Sequence, residues 1–141
     1  MVTTTAGPAT VNPVAEQLLR RARLELDAAD AATDAGVRFL HAHMAAIRGA
    51  SAVLALGAVA PRRRGRLRSV WEQLAEAGER WHGWAARFEA GARVRAAIES
   101  GGVGDLDPAV AEAATWAVEE FIAEGAAAVH DSDAFAAPMA S

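Results

Sequence analysis

The chain has 141 residues, enough for one domain with a buried core, and 52% of them are hydrophobic. It contains no Cys, which excludes disulfides, thiolate metal sites and cysteine nucleophiles. All 14 basic residues are Arg, and the net charge of −4 is unevenly spread: Arg crowds the middle, and none lies between Asp105 and Ser141.

Alanine is abundant, and its side chain loses no rotamer freedom in a helix. The β-branched and aromatic residues that favour sheets are sparse, and Tyr is absent. The composition therefore predicts an all-α fold. The Ala-, Arg- and Gly-rich usage without Lys fits a high-GC bacterial genome. Residues 1–9 lack the basic start and apolar run of a secretory signal. The most apolar stretch, 49–60, is about 12 residues where a membrane helix needs about 20. No membrane association is expected, and the expected location is the cytoplasm.

Residues 1–12 offer little to bury and read as a disordered tail. Asn12-Pro13 then opens a first helix, because Asn accepts from free N–H groups and Pro at the first helical position loses no bond. Leu18, Leu19, Ala22, Leu26 and Ala29 repeat at helical spacing, with Arg20, Arg21, Arg23 and Glu25 mostly off that stripe. The helix fades over residues 30–36. A second helix is predicted from about Val37 to Leu56, with Phe39, His43, Ala46, Ile47, Ala50, Val53 and Leu54 on one face. Ala42, Ala45, Gly49 and Ala52 are small enough for a closely packed neighbour, and Gly57 and Pro61 end the helix.

Arg62, Arg63, Arg64, Arg66 and Arg68 follow, five Arg in seven residues with no apolar period, which predicts a solvated loop. Ser69-Val-Trp-Glu72 fits a capping box. Trp71, Leu74, Gly78, Trp81, Ala85, Phe88 and Ala92 then step by three and four, predicting one helix to about Glu99 with a bend at Gly83 or Gly91. Gly101, Gly102 and Gly104 close it. A last helix starts at Asp107-Pro108, with Val110, Ala114, Ala117, Phe121 and Val129 inward and Trp116, Val118 and Ile122 flanking. Short links between these helices predict an up-down bundle of four to five helices over 13–130, with a disordered tail over 131–141.

Few constellations suggest chemistry. His41 and His43 point about 200° apart on a helix and cannot chelate one ion; His43 falls on the buried stripe. Glu79-Arg-Trp-His82 has the spacing of carboxylate-bridged metal pairs in bundles, but no second copy exists and His82 lies off the core stripe. No metal or other cofactor is expected. No nucleophile elbow, phosphate loop or Ser-His-Asp arrangement is visible. Trp84, one step off its stripe, suits a neighbouring helix or a subunit interface. Arg48 is placed to reach Glu72. The Arg-rich loop is the strongest binding candidate, since clustered guanidiniums bind phosphates and release counterions from nucleic acid. An acidic protein is the other partner it suits.

In chain order, His43-Met-Ala-Ala-Ile-Arg48, Pro61-Arg-Arg-Arg64, Arg68-Ser-Val-Trp-Glu-Gln-Leu74 and the segment Trp84 to Arg95 resemble a small actinobacterial family of the HEPN superfamily, over about residues 18–124. The resemblance implies an up-down helical bundle, often a homodimer. Many HEPN proteins are metal-independent ribonucleases that use an Arg and a His four to six residues apart, near the start of a late helix. Here Arg38 and His43 have that spacing, but they lie in the second helix, and chance predicts about one such pair in a chain of this composition. Five residues is also about 140° round a helix, so a site built on the pair requires a dimer mate. The leading expectation is a non-catalytic HEPN-like module for interaction or nucleic-acid association, acting as a dimer. The alternative is a metal-independent ribonuclease using Arg38 and His43 across a dimer, and a third class is a bundle holding a small ligand.

Overall fold

Helix-forming sequence and local caps account for most of the secondary structure. The computed structural model of the chain describes residues 12–57, 68–102 and 105–140. Among them it has five α-helices, one short 3-10 turn and no strand: α1 (Pro13–Ala31), α2 (Ala35–Leu54), α3 (Val70–Ala77), α4 (His82–Glu99) and α5 (Pro108–Ala140). The all-α bundle read from the sequence is the fold observed. Helix α2 is its centre, packed between α1 and α5 and touching α3 and α4 as well.

The predicted caps are present. The Asn12 side chain accepts from Ala15 N at 3.0 Å, and its Nδ2 donates to Ala55 O at 3.1 Å, tying the start of α1 to the end of α2. Asp107 Oδ1 accepts from Ala109 N at 2.9 Å at the start of α5. Gly101, at φ 75°, takes the left-handed conformation that closes α4. Ser69 accepts from Glu72 N at 3.1 Å while Glu72 Oε1 accepts from Ser69 N at 2.9 Å, a complete capping box. Ser69→Ala is expected to destabilise the fold by about 0.5–2 kcal/mol, and an unchanged denaturant midpoint would remove that role. The cap of α2 is one the sequence reading missed: Asp34 accepts from Val37 N at 2.9 Å, so the helix starts at Ala35.

Three other expectations differ from the structure. The single helix expected over 69–99 is broken at Gly78, whose backbone is extended (φ 161°, ψ 156°), and Glu79–Trp81 forms a 3-10 turn before α4. Glycine costs about 1 kcal/mol in a helix interior relative to Ala, so a break there is cheap. No break falls at Gly83 or Gly91. Because α3 and α4 each keep an apolar stripe, Trp71, Leu74, Trp81, Ala85 and Phe88 are still all buried. Helix α5 is turned relative to the predicted face: Val118 and Ile122 are buried with Phe121 and Val129, whereas Val110 is 42% and Trp116 61% exposed. Helix α5 also runs on to Ala140, where the sequence reading ended the bundle at His130.

The core is aromatic on one side and small on the other. Phe88 lies 5.0 Å from Phe121 and 5.4 Å from Trp71 between ring centroids, and Trp81 meets Phe121 edge-on at 6.0 Å. Ala42, Ala45, Ala46, Ala50 and Ala52 of α2 are fully buried, and Ile47 is half-buried where full burial was expected. A Cβ at Gly49 would stand 3.1 Å from the Phe121 ring and 3.3 Å from Ile122, so glycine there sets how closely α2 approaches α5.

Candidate functional site

The first half of α2 carries Arg38 and His43, the pair singled out for ribonuclease chemistry. Arg38 lies on the side facing α1: its Nε donates to Ala29 O at 3.1 Å and its Nη2 to Ala32 O at 3.2 Å. Those are carbonyls at the end of α1, where intrahelical partners run out and a cation is favoured. His43 faces α3 and α4. Its ring stacks on Phe39 at 6.2 Å with 7° between planes and meets Trp71 edge-on at 5.7 Å. The structure therefore does not bring Arg38 and His43 together.

His43 is 4% exposed, as its place on the apolar stripe predicts. Burial lowers its pKa from the usual 6.5 to about 4; Arg95 acts in the same direction and Glu99 opposes it. At neutral pH the ring is uncharged, with one nitrogen a donor and the other an acceptor. Neither nitrogen is hydrogen-bonded to another described residue, and neither is fully enclosed. Opposite the ring stands Gly91 of α4, where a Cβ would be 3.4 Å from Nδ1. His43 borders a cavity of about 270 Å³ between α2, α4 and α5, which Phe39, Phe88, Val110 and Val118 also line, with Arg87 at its exposed edge; Arg38 is not among its walls. The sequence carried no sign of this cavity, because it depends on α4 presenting a glycine to that one turn of α2.

Of the Arg cluster, Arg62, Arg63, Arg64 and Arg66 lie outside the described residues. Arg68 is half-buried and paired with Glu76. It borders a second cavity, of about 480 Å³, with Gln73, Arg80 and Trp81. Arg80 sits 4.5 Å over the Trp81 ring and 3.6 Å from Glu124. The expected Arg48–Glu72 pair does not form: Glu72 closes the Ser69 cap, and Arg48 Nε is buried without a partner.

The other polar residues are structural or solvated. His41 Nδ1 lies 2.9 Å from Glu25 Oε1, linking α2 to α1. Trp84 packs against a neighbouring helix: its Nε1 donates to Glu124 Oε1 at 3.2 Å, and its ring stacks on Phe88 at 5.7 Å. Glu79 and His82 are both exposed. Among the described residues no group of three or more His, Asp or Glu is placed to hold a metal ion, and no helix is long and apolar enough to cross a membrane.

A family model described as HEPN_SAV_6107-like HEPN matches residues 29–125, which takes in most of α2 to α5 and both Arg38 and His43. No curated protein and no solved structure matches the chain.

Proposed function

Because the chain belongs to the HEPN_SAV_6107-like HEPN family, we propose that it is a non-catalytic HEPN module, dimeric and cytoplasmic, that associates with nucleic acid through its Arg-rich segment. The observation that carries the non-catalytic part is the commitment of Arg38 to Ala29 O and Ala32 O, on a different side of α2 from His43. A general acid or base must reach its substrate, and an Arg that stabilises a transition state must be free to meet it. Arg62, Arg63, Arg64 and Arg66, with Arg68 where it leaves its Glu76 pair, supply phosphate contact and counterion release. The exposed ring of Trp116 on α5 offers apolar surface for a second copy.

In a metal-free incubation with labelled RNA, the protein is expected to leave the RNA intact but to shift its mobility. The shift is expected to weaken steeply with salt. Replacing Arg62, Arg63, Arg64 and Arg66 by Gln is expected to lower the log–log salt slope by roughly one for each phosphate no longer neutralised. Cleavage by the wild type that His43→Ala abolishes would replace this reading with the metal-independent ribonuclease, built on Arg38 and His43 across a dimer. No shift at low salt would turn the Arg segment toward an acidic protein instead.

A further inference from the structure

We infer that the cavity between α2, α4 and α5 is a binding site for a small neutral aromatic molecule bearing one hydroxyl group, of the phenol class, held by the ring of His43. The inference stands apart from the nucleic-acid reading and uses none of the Arg segment.

Three observations point to such a ligand. The first is the histidine itself. His43 is 4% exposed, makes no hydrogen bond to another described residue, and forms part of the cavity wall. Its nitrogens are not among the fully enclosed unpartnered atoms, so they are reached from the cavity and can take a partner from outside the chain. The second is the shape and character of the space. The space, about 270 Å³ and open to solvent along one side, has room for a single six-membered ring. The rings of Phe39 and Phe88 and the side chains of Val110 and Val118 line it, which suits an aromatic body. The third is access to the nitrogen. With glycine at 91 the nearest α4 position presents no side chain to Nδ1, and a Cβ there would close to 3.4 Å.

The polar group is defined by complementarity. A neutral imidazole offers one donor and one acceptor, and a hydroxyl can serve either. A carboxylate suits the site less well. Arg87 is exposed to solvent at the cavity edge, and Arg95 is held by Glu99 at 3.4 Å, so neither is a free, desolvated counter-charge. Water fills the same hydrogen-bonding role but leaves Phe39 and Phe88 wetted.

The test is a titration of the full chain with phenol and with toluene, which has the same number of non-hydrogen atoms and no hydroxyl, read by the NMR signals of the His43 ring and by heat. Phenol is expected to bind saturably, to shift the His43 Hε1 resonance, and to bind about tenfold more tightly than toluene. His43→Phe, with helicity checked by circular dichroism, is expected to erase that preference. Ala113→Leu narrows the cavity at an exposed position where the fold tolerates the change, and is expected to weaken phenol at least tenfold. No saturable shift at millimolar phenol, equal binding of phenol and toluene by the wild type, or unaltered binding in Ala113→Leu would each overturn the inference.

Discussion

Phe121→Ala is expected to cost about 3–5 kcal/mol, the largest loss of any single truncation in the bundle. Phe121 is 0% exposed and is the meeting point of the aromatic core. Its ring centroid lies 5.0 Å from Phe88, 5.5 Å from Trp84 and 6.0 Å from Trp81, and its edge faces the gap left by Gly49. Neighbours cannot readily collapse into the space the ring would vacate. Trp84 is tethered to Glu124, and α2 presents Gly49 to the ring. The cavity term therefore adds to the lost transfer energy. Against a typical total stability of about 5–15 kcal/mol, such a variant would be marginally folded. Urea unfolding of the purified variant measures the loss. A change under about 1 kcal/mol with an unaltered slope would show that the aromatic cluster is not the centre of the core.

Acidification is expected to remove up to about 3 kcal/mol through His43 alone. Its pKa is about 4 in the folded chain, against 6.5 for a free imidazole. Between those values the unfolded chain binds the proton and the folded chain does not. The contribution is fully present above pH 6.5, falls as pH drops through that window, and is gone below about pH 4. Burial is the main cause; Arg95 adds to it and Glu99 opposes it, so the nearby charges decide only the remainder. Carboxylates titrate at the acid end of the same window, so the informative quantity is the difference between wild type and His43→Phe. That variant keeps an aromatic ring against Phe39 and Trp71 and removes the titration. Its stability is expected to be flatter between pH 7 and 4.5, and parallel curves for the two proteins would contradict the assignment.

Local signals were legible in the sequence and relational ones were not. Asn12, Ser69 and Asp107 cap helices through contacts two or three residues away, so their roles follow from neighbouring letters alone. Gly78 sits at a position where either a close neighbour or a break suits a glycine, and periodicity does not choose between them. In α5 alanine occupies every face, so apolar spacing left its rotation undetermined; burial of Val118 and exposure of Val110 are decided by packing on α2. The burial of His43 followed from its stripe, but Arg38 could be assigned only once the turn after α1 placed Ala29 O and Ala32 O within its reach. The space beside the His43 ring likewise depends on Gly91, a residue on another helix.

The contacts that join α1 to α2 also bear on the order in which the bundle assembles. Arg38 reaches back 9 residues to Ala29 O and 6 to Ala32 O, and His41 meets Glu25 across 16. Closing such short loops forfeits little chain entropy, whereas seating Phe121 against Gly49 closes a far longer one. The α1–α2 hairpin is thus the unit able to form from nearest neighbours, and it lays out the small-residue surface of α2 before α5 arrives to cover it. Synthesis from the N-terminus presents the elements in that same sequence.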